Sequence, residues 1–191
     1  MPAGWNDWYH CVASTYGSWL HGDPRGFRTR HHRQHIEGDY KNPPPPGKYD
    51  KALERSRRRI KRPPVIIPPA ARPIILDELL EQLIARNIER LTACVSGQHM
   101  HVLARFPEAR TWHMKPHRLR TSAKDDPIRH ILGIAKRQAS RRVIHEKLMT
   151  GAIWAKRCKI KPVKDRAHQL NVFYYILDHT HEGAAVWHFK M

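Results

Sequence analysis

Residues 88 to 106 read IERLTACVSGQHMHVLARF, two strand-like runs on either side of Ser96 and Gly97. Residues 88–95 and 98–106 are predicted to pair as a hairpin, with the Ser-Gly dipeptide at its turn. Side chains alternate faces along a strand, so Met100, Val102, Ala104 and Phe106 share one side while His99 and His101 project together from the other. Two neutral imidazoles so placed can hold one divalent ion, provided a further protein ligand arrives from elsewhere. Alone, the triplet HMH is a weak signal in a chain with 15 histidines.

Outward from the hairpin, the aromatic and β-branched run 8–16, WYHCVASTY, reads as a first strand. Residues 70–86 repeat apolar positions at helical spacing, with Pro73 near the start. Asp126 followed by Pro127 is a helix-start pair, and that helix is expected to run to about Leu148, with Arg129, Lys136, Arg137, Arg141, Arg142 and Lys147 on its polar surface. A fourth strand is expected over 152–160, a third helix over 165–181 and a last strand over 184–189. The order β, α, β, β, α, β, α, β predicts an α+β sandwich, close to a ferredoxin-like core with a mainly antiparallel sheet.

At 191 residues the chain is read as a single domain, 1–191. Between the first strand and the first helix lies a long insertion, 21–64, with 13 Lys or Arg against 5 acidic residues and the proline run Pro43 to Pro46. Polyproline excludes helix, so this segment is expected to be an extended basic arm, with a solvated tether as the plain alternative. His31, His32 and His35 lie in it without the carboxylate or cysteine pattern of a metal site.

A formal charge of +18 calls for a polyanion, and nucleic acid is the first candidate because each neutralised phosphate releases counterions. The longest apolar runs are only strand-sized, which argues against a membrane partner. Cys11, Cys94 and Cys158 are odd in number and widely spaced, which suggests buried, reduced thiols in a cytoplasmic protein. The opening MPAGWNDWYH lacks the basic and apolar regions of a signal peptide.

The further metal ligand is sought in the last helix, in NVFYYILDH. Tyr175 and His179 are four residues apart and share a helical face, as do Tyr174 and Asp178. If Leu170, Phe173 and Leu177 form the apolar stripe, Tyr174 borders it while Tyr175 and His179 lie nearly opposite. That phase favours Tyr175 with His179, and Tyr174 with Asp178 stays as the competing pair. Simple packing of both tyrosines is the third reading.

The HMH strand, the later helix with Tyr175–Ile176 and a ligand four residues on, and the intervening GAIWAKRCKIKP together resemble the HUH superfamily of tyrosine transposases. The similarity is closest to the REP-associated tyrosine transposases and runs, with gaps, from Tyr9 to Trp187. The resemblance implies a divalent metal ion, Mg2+ or Mn2+, on His99, His101 and His179, with Tyr175 as the catalytic nucleophile. His179 stands where the family usually carries Gln or Asn, and the basic insertion is a second departure. The implied activity is that of a single-stranded DNA endonuclease and strand transferase working through a 5′-phosphotyrosine, on single-stranded or hairpin DNA. Trp154, Lys156, Arg157, Lys159, Lys161, Lys164 and Arg166 are the expected DNA contacts, because backbone phosphates and unstacked bases need basic and aromatic partners. Related enzymes act as monomers or homodimers. The alternatives are a replication initiator or relaxase, a domesticated DNA-binding protein without transfer activity, and an RNA-binding protein.

Overall fold

The computed structural model describes residues 4–24, 45–109 and 126–190, apart from the side chain of Arg157. In chain order the elements are β1 (Trp8–Thr15), α1 (Asp50–Arg59), α2 (Ala71–Ile84), β2 (Glu89–Val95), β3 (His99–Arg105), α3 (Pro127–His145), β4 (Trp154–Pro162), α4 (Arg166–Asp178) and β5 (Ala185–His188). Short 3-10 turns occupy Trp5–Asp7 and His179–Glu182. The chain divides into two compact units, residues 1–15 with 66–191, and residues 16–65.

The first unit carries a five-stranded sheet of order β4-β1-β3-β2-β5, and each neighbouring pair is antiparallel. The first four strands have the ferredoxin-like order, with β5 added beside β2, so the α+β reading of the sequence holds. The β2–β3 hairpin closes where Ser96 N–H donates to the His99 carbonyl at 2.9 Å and Ser96 Oγ accepts from His99 N–H at 3.3 Å. That turn sets the register from which His99 begins its strand.

One sheet face carries Tyr9, Cys11, Ala13, Met100, Val102 and Ala104, all buried, and meets the apolar stripes of α2 and α3. Helix α3 starts where expected because the Asp126 carboxylate accepts from Ile128 N–H at 3.0 Å and Arg129 N–H at 3.4 Å, with Pro127 in the first turn. The opposite face packs Trp8, Cys94 and Leu103 against Val172, Phe173 and Ile176 of α4. Full burial of each large apolar side chain contributes roughly 1.5–3 kcal/mol, so this cluster fixes α4 over the sheet. The three thiols are free and buried, as expected.

Lys136 departs from the expected polar surface of α3. It is buried, and its ammonium donates to the Ala155 carbonyl at 2.8 Å while lying 3.8 Å from Cys158 Sγ. The cause is an irregularity in β4: the β1 pairing jumps between Ala13 and Thr15, leaving residues between Trp154 and Cys158 out of the ladder. The lysine fills the place of the lost strand partner.

In the second unit the expected helix-free arm is corrected by α1. The proline run ends at Pro46, and DKALERSRRR is rich in strong helix formers, with a Glu54–Arg58 ion pair one turn apart. Ser56 Oγ donates to the His21 carbonyl at 2.7 Å, tying α1 to the preceding loop. Gly22 permits that approach: it has φ +95°, and a Cβ there would sit 2.3 Å from the Leu53 nitrogen. Pro43, Pro44, His31, His32 and His35 lie outside the described residues.

Candidate active site

Helix α4 begins at Asp165, whose carboxylate accepts from His168 N–H at 2.7 Å. Its buried positions are Gln169, Val172, Phe173 and Ile176, and the stripe continues into His179 at the helix end. The stripe expected from Leu170, Phe173 and Leu177 is therefore rotated, since Leu170 and Leu177 are only half-buried. This reverses the expected environments of the two tyrosines. Tyr175 borders the stripe on the sheet side, whereas Tyr174 is 61% exposed with its ring against Phe173. Asp178 is likewise exposed and faces His181 at 3.7 Å. The Tyr174–Asp178 pair thus points away from the sheet histidines.

His99, His101 and His179 converge. Their ring centroids are separated by 4.7 Å (His99–His101), 4.7 Å (His101–His179) and 5.2 Å (His99–His179). One nitrogen from each lies within 4.8 Å of the others. The Tyr175 ring stands 5.4 Å from His101 and 4.8 Å from His179, edge-on to both. The site sits at the open edge of the α4 layer, where Tyr175 is 43% exposed while His101 and His179 are buried.

Hydrogen bonds through Nδ1 orient two of the rings. His179 Nδ1 lies 2.8 Å from the Tyr175 carbonyl, which can only accept, so Nδ1 is the donor and Nε2 is the nitrogen left to face a ligand. His101 Nδ1 lies 2.8 Å from His10 Nε2, so its Nε2 also points away from that bond. Burial first, and then the neighbouring His99, His10 and His179, hold His101 far below the usual histidine range. The ring is neutral at physiological pH, as a metal ligand must be.

These residues fit a divalent ion. Three imidazoles around an ion at about 2.1 Å need donor separations of roughly 3–3.5 Å, within reach of small side-chain rotations from the observed spacing. A set of nitrogen donors without a carboxylate suits a transition-metal ion better than Mg2+, which prefers oxygen. Cys94 pairs in register with His101, but burial pushes its thiol up to about 12, so it remains protonated.

The expected DNA contacts separate. Lys159 and Lys161 lie opposite Val12 and His10 in the sheet register, on the histidine face, and both are exposed. Lys164 is exposed in the connection into α4 and Arg166 at the first position of that helix, and Lys156 is exposed in the irregular part of β4. Trp154 is not with them: it lies opposite Thr15, and its indole N–H donates to the Lys136 carbonyl of α3 at 3.1 Å. That placement makes it a packing residue of the other face. The side chain of Arg157 lies outside the described residues.

His10 is the site residue that reading the sequence missed. It is 5% exposed, contacts His101, and lies 6.1 Å from the Tyr175 ring. The only signal was its parity: in WYHCVAST it shares a face with Trp8 and Val12, but nothing local says which face meets the HMH strand.

No family model and no curated protein matches the chain. Among solved structures it is similar to a REP-associated tyrosine transposase bound to a REP hairpin, with 11% identity, a TM-score of 0.47, and coverage of 96% of this chain and 70% of that one. Likeness at that level is too loose to transfer residue roles. Among the described residues, no helix is long and apolar enough to cross a membrane.

Proposed function

We propose that this protein is a metal-dependent single-stranded DNA endonuclease and strand transferase, with Tyr175 as nucleophile and His99, His101 and His179 as metal ligands. The observation that carries the reading is the meeting of three imidazoles and one accessible phenol, brought together from two elements distant in sequence. A bound ion would act as a Lewis acid toward a phosphate oxygen. Tyr175 Oη attacks the phosphorus; the new bond joins Oη to the 5′ phosphate, and the bond to the 3′ oxygen breaks to leave a 3′ hydroxyl. The phenolic proton passes to solvent, which reaches this half-exposed side chain, and the departing 3′ oxygen takes up a proton from solvent to become the hydroxyl. Attack by an incoming 3′ hydroxyl on the phosphotyrosine reverses the sequence, so joining needs no nucleoside triphosphate. Lys159 and Lys161 supply positive charge along the same face for the strand's phosphates.

The test is incubation with labelled single-stranded hairpin DNA and Mn2+ or Mg2+, followed by a denaturing gel. Wild type is expected to form a covalent adduct, Tyr175→Phe to lose it while still binding DNA, and Tyr174→Phe to retain it. Should wild type form none with either ion on any hairpin tried, the DNA-binding protein without transfer activity replaces the enzyme.

A further inference from the structure

We infer that His10 is a positioning residue for the metal centre: its Nε2 accepts the Nδ1 proton of His101 and thereby presents His101 Nε2 as the ligand atom. The inference rests on the metal reading above, but its evidence is separate. His10 reaches His101 from a different strand, β1, where it is paired with Leu103 and lies diagonally across from His101. The nitrogens are 2.8 Å apart and the rings are stacked at 5.0 Å. Both residues are buried, at 5% and 4% exposure, so water does not compete for this hydrogen bond.

The direction of the bond follows from the ligand role. An imidazole that coordinates through Nε2 carries its proton on Nδ1, and a proton there needs an acceptor. His10 Nε2 is placed to be that acceptor, which puts the proton of His10 on its own Nδ1. A protonated His10 would be a donor at both nitrogens and would oppose the arrangement. An apolar residue at position 10 would pack as well against Trp8 and Leu103 at lower desolvation cost, so packing does not explain a histidine here. His179 shows the same device in a different form, since its Nδ1 proton is held by the Tyr175 carbonyl. Two of the three proposed ligands are thus aimed through Nδ1, one by a strand neighbour and one by the helix backbone.

Mn2+ binding to the full chain, measured by titration calorimetry, tests this without relying on DNA cleavage. His10→Leu is expected to weaken Mn2+ affinity by about 10- to 100-fold, the usual cost of losing such an outer partner. His10→Gln places an amide oxygen near the position of Nε2 and is expected to keep most of the affinity. Wild-type affinity in His10→Leu, or equal losses in both variants, overturns the inference. Should the leucine variant fail to fold, the tautomer decides: 15N-labelled wild type must show His101 with its proton on Nδ1, and a proton on Nε2 overturns the proposal. His99→Ala and His101→Ala separate the two levels. If they bind Mn2+ like wild type the metal reading itself fails; if they lose it while His10→Leu does not, only the role of His10 fails.

Discussion

Acid should destabilise this protein through His10, and the size of the effect can be worked from its burial. In the unfolded chain this imidazole titrates near 6.5, whereas in the fold it is held down to about 3, chiefly by desolvation. Above pH 6.5 the ring is neutral in both states and contributes no pH dependence. As pH falls from 6.5 toward 3, the unfolded state takes up a proton that the folded state refuses, so stability is lost over that window. At pH 4.5 the unfolded group lies about two pH units below its own pKa, and at 1.36 kcal/mol per unit the loss is about 2.7 kcal/mol. His101 is shifted in the same direction and adds to it. Against a total of roughly 5–15 kcal/mol for a domain, this is a large share. The assay is urea unfolding with a chelator at pH 7.5 and pH 4.5, for wild type and His10→Gln. Carboxylates and the other histidines titrate in both proteins, so the comparison isolates position 10. The variant should lose about 2–3 kcal/mol less than wild type between the two pH values. Equal losses would refute the argument and show that His10 takes up its proton within the fold.

Charge removal at Lys159 and Lys161, each to Gln, should weaken single-stranded DNA binding and lower its salt slope by about 0.7 per lost phosphate contact, as read by fluorescence anisotropy over a salt series. An unchanged slope would move the DNA path off this face. Asp126→Ala removes the acceptor for two amide protons at the start of α3 and should cost about 1–2 kcal/mol in urea unfolding. Calorimetric titration should show Mn2+ binding more tightly than Mg2+, because the three donors are nitrogens; the reverse order would mean that oxygen ligands dominate the site.

What was legible in the sequence was whatever is encoded by local period and local chemistry. Alternation in WYHCVAST and QHMHVLARF defined two strands, and placing His99 and His101 on one face needed only the period of two. The Asp126–Pro127 start of α3 is a local capping signal, and the Ser96–Gly97 turn a local hairpin signal. Element order then narrowed the fold to a ferredoxin-like sheet, because few topologies accommodate it.

Tertiary structure decided the rest. The phase of α4 could not be read from Leu170, Phe173 and Leu177, because the helix is apolar on much of its circumference and the buried stripe is set by what the sheet offers, namely Trp8, Cys94 and Leu103. The burial of Lys136 has no local signal, because it depends on an irregularity in a strand 18 to 22 residues further on. His10 was invisible as a site residue because its partner lies 91 residues away and only strand pairing brings the two nitrogens together. The sequence by itself therefore determined which elements exist and which side chains each element presents together. Which presented groups meet is a property of strand order, register and helix phase, and these are settled by the global burial of apolar surface rather than by any local run of residues.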